Sequence, residues 1–211
     1  MFQLDVIFNL SIIIPALVGI YVFSSVKKEY RYFIVTIIAG TLNEYNAEFN
    51  IVPNFIFNAL HTILYVQFFL LLYFKWDLEK IAKAKKIVLH ASIFILLIID
   101  EYYDYLSIYH IKWASIACEI GISFYGIRLL SQIQNNLINE KEKYARRLII
   151  IPYLVFSTYY AAINILMYYL FDKSTRAIFE DLYNVIRWIN FLSYISYTLA
   201  LLWAPKKEKF L

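Results

Sequence analysis

The sequence is poor in the residues that most site chemistry relies on. One cysteine in 211 residues, Cys118, rules out an intrachain disulfide and a CxxC metal pattern. It shares a face of small residues with Ala114, Ala117 and Gly121, where it is expected simply to pack against a neighbouring helix. Four glycines leave no glycine-rich loop for a phosphate. With only four prolines besides, the chain has few of the paired interruptions that mark the broken helices of many secondary transporters. Pro15 is the one expected kink. Pro152 is expected in the first turn of a helix, where it is harmless, and Pro53 and Pro205 in connections. The three histidines, His61, His90 and His110, fall at different depths and do not supply the set of ligands that a seven-helix zinc hydrolase needs. His90 reads as a polar interface residue. Residues 179–203 hold no lysine, which removes a retinal Schiff base in the last helix. The expectation is a protein without catalytic residues, cofactor or metal.

Charge is scarce as well, and apolar residues are abundant: 17% charged against 62% hydrophobic, with a mean hydropathy of +0.59. Soluble domains hold roughly 25% charged residues. The excess of Ile, Leu, Tyr and Phe is gathered into blocks of about twenty, the length that crosses about 30 Å of hydrocarbon as a helix. Seven such blocks are read, at 6–24, 32–50, 55–74, 87–105, 109–131, 148–171 and 179–203. Runs such as "IVTIIA" and "IFILLII" are apolar on every face, which excludes β-barrel alternation. The expected fold is an all-α integral membrane protein, a single seven-transmembrane-helix bundle with no soluble domain. The first block ends at "VFSSVKKEY" with no small-x-small cleavage site and is expected to remain as helix 1.

Lysine and arginine set the orientation. Of the twenty, sixteen fall in the 1–2, 3–4 and 5–6 connections with their flanks and in the tail. Lys112, Lys173, Arg176 and Arg187 are left for the other side. The N-terminus is expected outside and the C-terminus in the cytoplasm of a plasma or bacterial inner membrane. The net charge of +4 is then a positive-inside bias, with anionic lipid headgroups as its partner and not nucleic acid. Trp76 and Trp203 read as anchors at the inner interface and Trp113 at the outer. The polar stretches "KWDLEKIAKAKK" and "SQIQNNLINEKEKYARR" read as helical extensions of helices 3 and 5. There Lys80, Lys83, Lys85, Lys86, Lys141, Lys143, Arg146 and Arg147 form a docking surface for a cytoplasmic protein, or a plain solvated face.

Against this background the stretch "GTLNEYNAEFN" at 40–50 stands out, because it places carboxylates and amides at the outer end of helix 2. Glu44 falls about 9 Å inside that end. Helix 3 offers Asn54, Asn58, His61 and Tyr65 on one face at a similar depth. Helix 5 offers Lys112, Ser115, Glu119, Ser123 and Gly126, helix 6 Ser157, Tyr160, Asn164 and Tyr168, and helix 7 Glu180, Asn184, Arg187, Asn190, Tyr194 and Tyr197. Ionisable groups at membrane depth cost at least about 2.5–3.5 kcal/mol when they face lipid. These helices are therefore expected to turn their polar faces toward one another, with Arg187 as counter-ion to a glutamate. The candidate ligand site is Asn43, Glu44, Asn58, His61, Tyr65, Glu119, Tyr160, Asn164, Arg187, Asn190 and Tyr194. The alternative is a set of interhelical hydrogen bonds that only fix packing, at about 0.6 kcal/mol each. Glu48 and Asn50 read as rim groups, and Asp100, Glu101 and Asp104 as a solvated outer edge.

At "NEYN…PNFIFNALHTILYVQFFLLLYFKW" the chain resembles a group of small seven-helix bacterial membrane proteins with a glutamate late in helix 2 and asparagine and histidine early in helix 3. Glu44, Asn58 and His61 match that pattern. The carboxylate usual six residues after the histidine is Gln67 here. The resemblance extends to the membrane portions of bacterial seven-helix sensors. The resemblance carries over no activity; the polar layer and the cationic helical extensions lead to the expectation of a receptor-like sensor subunit that binds a small ligand, ion or lipid headgroup and signals to a separate cytoplasmic partner. A small-solute or proton-coupled carrier and a structural subunit of a membrane complex stand as alternatives.

Overall fold

The computed structural model describes residues 11–49, 54–76, 83–106, 113–135, 138–169 and 176–207. These form seven helices: α1 (Ile13–Val22), α2 (Lys28–Phe49), α3 (Asn54–Trp76), α4 (Lys83–Leu106), α5 (Trp113–Asn135), α6 (Glu140–Tyr169) and α7 (Arg176–Trp203). Consecutive helices pack on one another in chain order, α7 closes the ring on α1, and α3 also reaches α5. The protein is all-helical. Three of its helices are long and apolar enough to cross a membrane, over Trp113–Gln134, Glu140–Leu166 and Asn184–Trp203, while Ile13–Val22 and Leu60–Trp76 are shorter apolar helices. In α2, Lys28, Glu29, Arg31, Glu44 and Glu48 lower the hydropathy of a helix of 22 residues. Lys80, Asn50 and the outer connections lie outside the described residues, as do the side chains of Asn58 and Lys83.

Large apolar side chains cover the exterior of the bundle as well as filling its core. On α7, Val185, Trp188, Leu192, Ile195, Leu199 and Leu202 recur at helical spacing and are 38–59% exposed. Behind them Ser193 is buried. Glu119, Ser115, Ser123, Ser157, Thr36 and Asp100 are likewise buried, while Phe94, Ile95, Ile98, Ile99, Phe124 and Ile127 face out. An apolar exterior with polar groups inside is the arrangement that hydrocarbon surroundings favour.

Close approach comes from two glycines. A Cβ at Gly19 would lie 2.9 Å from Ile34 Cγ2, so α1 sits directly on α2. A Cβ at Gly126 would lie 3.1 Å from Leu154 Cδ2 and 3.3 Å from the Tyr73 hydroxyl, so α5 meets α6 and α3 there. The small-residue face expected at Ala114, Ala117 and Gly121 does not make that contact. Nothing lies within 4 Å of a Cβ built at Gly121, and Ala117 is exposed. Cys118 is free and packs against the core, as its spacing indicated.

Two expectations about helix ends change. The run "EKEKYARR" belongs to the first turns of α6 and is no extension of helix 5. Asn139 caps that helix by accepting from the Lys141 amide at 3.0 Å, and Glu140 and Glu142 in its first turn complement the helix dipole. Pro152 therefore lies deep inside α6, where its missing N–H leaves the Leu148 carbonyl without its i+4 donor.

One end of the bundle collects the cations. The α1–α2 corner pairs with the segment after α7, through Lys27 N to Pro205 O at 3.1 Å and Lys207 N to Ser25 O at 2.7 Å. Lys27 Nζ reaches Glu142 at the start of α6 at 2.9 Å. Arg146, one turn further, lies 5.1 Å over the ring of Trp76 at the end of α3. Lys86 at the start of α4 lies 5.2 Å over the Phe74 ring. The connections grouped by their charge in the sequence thus share one end of the fold.

Candidate functional site

Away from the cationic end, five of the helices, with Ile12 at the head of α1, enclose a cavity of about 380 Å³. Asn43 and Glu44 from α2, His61 and Tyr65 from α3, Glu119 from α5, Tyr160 from α6, and Asn190 and Tyr194 from α7 all line it. The structure therefore gathers eight of the eleven expected residues in one hollow. Their helices meet at a common depth because Glu44 follows Lys28 by sixteen residues in α2 and Tyr160 follows Glu140 by twenty in α6. At 1.5 Å per residue both positions lie about 24–30 Å from the cationic end. Gly40 helps to close the wall, since a Cβ there would stand 3.4 Å from His61 Nε2.

Residues outside the expected ligand site complete the lining. Thr36, Thr62, Ser115, Ser193 and Tyr197 add hydroxyls, and Phe33, Phe69 and Phe156 add apolar walls. Ser115 and Tyr197 lie on the polar stripes of their helices and could have been included on that signal. Thr62 and Ser193 could not, being single hydroxyls in apolar runs. The rings are ordered against one another: Tyr65 and Phe69 at 4.8 Å, His61 and Tyr65 at 5.7 Å, and Phe156 stacked on Tyr160 at 5.6 Å.

The ionic arrangement differs from expectation. Arg187 does not line the cavity and pairs with neither Glu44 nor Glu119; its guanidinium donates to Asn184 Oδ1 at 3.4 Å on its own helix. It sits almost one turn before Asn190, and so long a side chain can carry its charge away from the hollow. The group that does bind Glu119 is Tyr153, whose hydroxyl donates to Oε2 at 2.6 Å. Tyr153 lies in the apolar run "IIIPYLV", so nothing in its surroundings marked it as a partner. Ser123 Oγ donates to the Glu119 carbonyl at 2.8 Å and meets Ser157 Oγ at 2.5 Å. Asn164 turns back on α6, donating to the Tyr160 carbonyl at 2.8 Å, and lies outside the lining. Asp100 is no solvated edge residue: it is buried and accepts from both the amide and the hydroxyl of Ser115 at 3.0 Å, which caps the start of α5. Gln67 faces α4, bonded to the ring and carbonyl of His90.

From Glu119 a continuous set of contacts runs to the cationic end. Tyr153 stacks on Phe69 at 4.2 Å and meets Tyr73 edge-on at 6.3 Å; Tyr73 lies over Trp76 at 6.5 Å. Trp76 carries Arg146 on its face and Tyr30 at 5.6 Å. Trp76 is only 3% exposed, so it is an internal element and not an interfacial anchor. Arg146 is 8% exposed and bonded to Glu142, which removes it from the expected docking surface. Lys143 pairs with Glu140 at 2.8 Å, and Lys86 folds toward Phe74. Lys85 and Lys141 are exposed and Arg147 partly so. Burial pushes the Glu142 carboxyl up, but hydrogen bonds from Lys27 and Arg146 outweigh it and hold it below the ordinary glutamate range. Burial pushes the Tyr30 phenol above its usual range.

No protein-family model, curated protein or solved structure matches this sequence. Among the described residues no group of three or more His, Cys, Asp or Glu side chains could hold a metal ion.

Proposed function

We propose that the protein is a receptor-like sensor subunit, a seven-span membrane bundle with its N-terminus outside and its cationic end in the cytoplasm of a plasma or bacterial inner membrane. A small ligand occupies the cavity, and a separate cytoplasmic protein reads the cationic end, where Lys85, Lys141 and Arg147 remain accessible. The observation that carries this reading is the unbroken run of buried side chains from Glu119 through Tyr153, Tyr73 and Trp76 to Arg146 and Glu142. Coupling between distant sites travels through packed elements with two arrangements. Pro152 supports such a role, because it removes a backbone hydrogen bond from α6 between its cavity residues, Phe156 and Tyr160, and its cationic-end residues, Glu142 and Arg146. The ligand acts only through unequal affinity for two bundle states.

A carrier is the second reading, favoured by a cavity that holds carboxylates and by the proline inside α6. Cross-linking from Lys85 and Lys141 in native membranes separates the two. The sensor reading expects one reproducible cytoplasmic partner whose yield changes severalfold in Glu119→Gln. Recovery indifferent to that substitution, together with solute uptake into proteoliposomes that Glu119→Gln abolishes, would replace the sensor with the carrier.

A further inference from the structure

The cavity combines features that select a class of ligand. Two of its lining groups, Glu44 and Glu119, are carboxylates, and no lysine or arginine lines it. Among the described residues no cation pairs with either carboxylate, and the protein donates a side-chain hydrogen bond to Glu119 through Tyr153 on Oε2 alone. Glu119 is 7% exposed, so bulk water does not screen it. The Asn43 side-chain oxygen, also in the lining, is buried without a hydrogen-bond donor. Every one of these atoms accepts, and an acceptor-rich hollow calls for a guest that donates or carries positive charge.

The walls narrow the choice further. Rings of Phe33, Tyr65, Phe69, Tyr160, Tyr194 and Tyr197 surround the same space, and the faces of such rings attract ammonium groups. A bare metal ion would find no converging ligand set there. A volume of about 380 Å³ lies at the small end of ligand pockets, which run from about 300 to 1,000 Å³.

We propose that the cavity binds a small organic cation, an amine or quaternary ammonium with an apolar or ring body, its charge set between Glu44 and Glu119 and its body against the tyrosines. This rests on the sensor reading for its consequence but not for its chemistry.

The test is a thermal-shift titration of the full chain in nanodiscs with four probes of similar size: benzyltrimethylammonium, benzylamine, benzyl alcohol and benzoate. The two ammonium probes are expected to raise the unfolding temperature saturably and the other two to leave it unchanged. Glu119→Gln and Glu44→Gln are each expected to weaken ammonium binding by about tenfold or more, the loss typical when one partner of a desolvated charge pair is removed. Glu44→Gln breaks no protein hydrogen bond among the described residues, so it keeps the test decisive if Glu119→Gln does not fold. Benzyl alcohol or benzoate binding as tightly as the ammonium probes, absence of ammonium binding at millimolar concentration, or wild-type affinity in a folded Gln variant would overturn the assignment. A fluorophore on Lys141→Cys, in a Cys118→Ala background, distinguishes the two ideas in the same titration. Ammonium binding without a signal there supports the cation site and refutes the sensor, whereas a signal driven by the neutral probe alone refutes the cation site and leaves the sensor.

Discussion

Glu142→Ala is expected to lower the stability of the folded chain by about 3–5 kcal/mol, measured by reversible unfolding in detergent micelles, because it strands a buried guanidinium. Arg146 is 8% exposed and depends on Glu142 for its charge partner. The Lys27 arm contributes little of this: its side chain is 40% exposed, and exposed pairs are worth about 0–1 kcal/mol. Replacing the pair together, Glu142→Leu with Arg146→Met, is expected to be nearly neutral or stabilising, since apolar residues of similar volume avoid the desolvation cost that the ions incur. The pH dependence has a defined sign. Glu142 is held below its ordinary value of about 4.3. Its stabilisation is therefore complete above that value and is lost as pH falls through the lower, folded-state pKa. Wild type is expected to lose stability on acidification through that window, and Glu142→Leu/Arg146→Met to lack that component. An equal loss in both chains would show that Glu142 is not the group responsible.

Phe69→Ala carries the second large effect, about 3 kcal/mol of stability. The ring is 2% exposed and holds four neighbours, Tyr153 at 4.2 Å, Tyr65 at 4.8 Å, Tyr73 at 5.9 Å and Phe33 at 6.2 Å. In the proposed bilayer setting the transfer part of the usual core penalty is reduced, because acyl chains are as apolar as the core. What remains is lost contact and the space opened beneath the cavity, which places the estimate at the low end for buried phenylalanine. Phe94→Ala, on a ring 44% exposed on the outer face of α4, is the matched control and is expected to change stability by less than about 0.5 kcal/mol. Similar losses in both variants would mean that Phe94 packs against protein and that the outward face of α4 does not meet lipid.

The helical period carried most of this architecture. Asn43, Glu44, His61, Tyr65, Glu119, Tyr160, Asn190 and Tyr194 could be placed together from sequence because depth and face along a helix are both counted in residues. What escaped depends on rotamers and distant partners. Arg187 has the depth and face of a counter-ion, but its length lets the charge sit elsewhere. Tyr153 reads as one more apolar residue until its hydroxyl is seen on Glu119. Arg146 belongs to a charge run that looks solvated, and only the fold brings it to Trp76 and brings Lys27 to Glu142, 115 residues away. The contact at Gly126 was hidden for a related reason. A glycine shows where a close approach is possible, whereas the opposing helix decides whether it happens.

The most direct measurement is the rate at which Thr62→Cys, in a Cys118→Ala background, reacts with membrane-impermeant thiosulfonates in oriented membranes. Thr62 lines the cavity beside His61. The account predicts modification from the face opposite the cationic end, faster with a trimethylammonium reagent than with a sulfonate, while Lys141→Cys reacts only from the cationic face. A Thr62→Cys that reacts from neither side, or that prefers the sulfonate, would contradict the claim of an accessible, cation-selecting hollow.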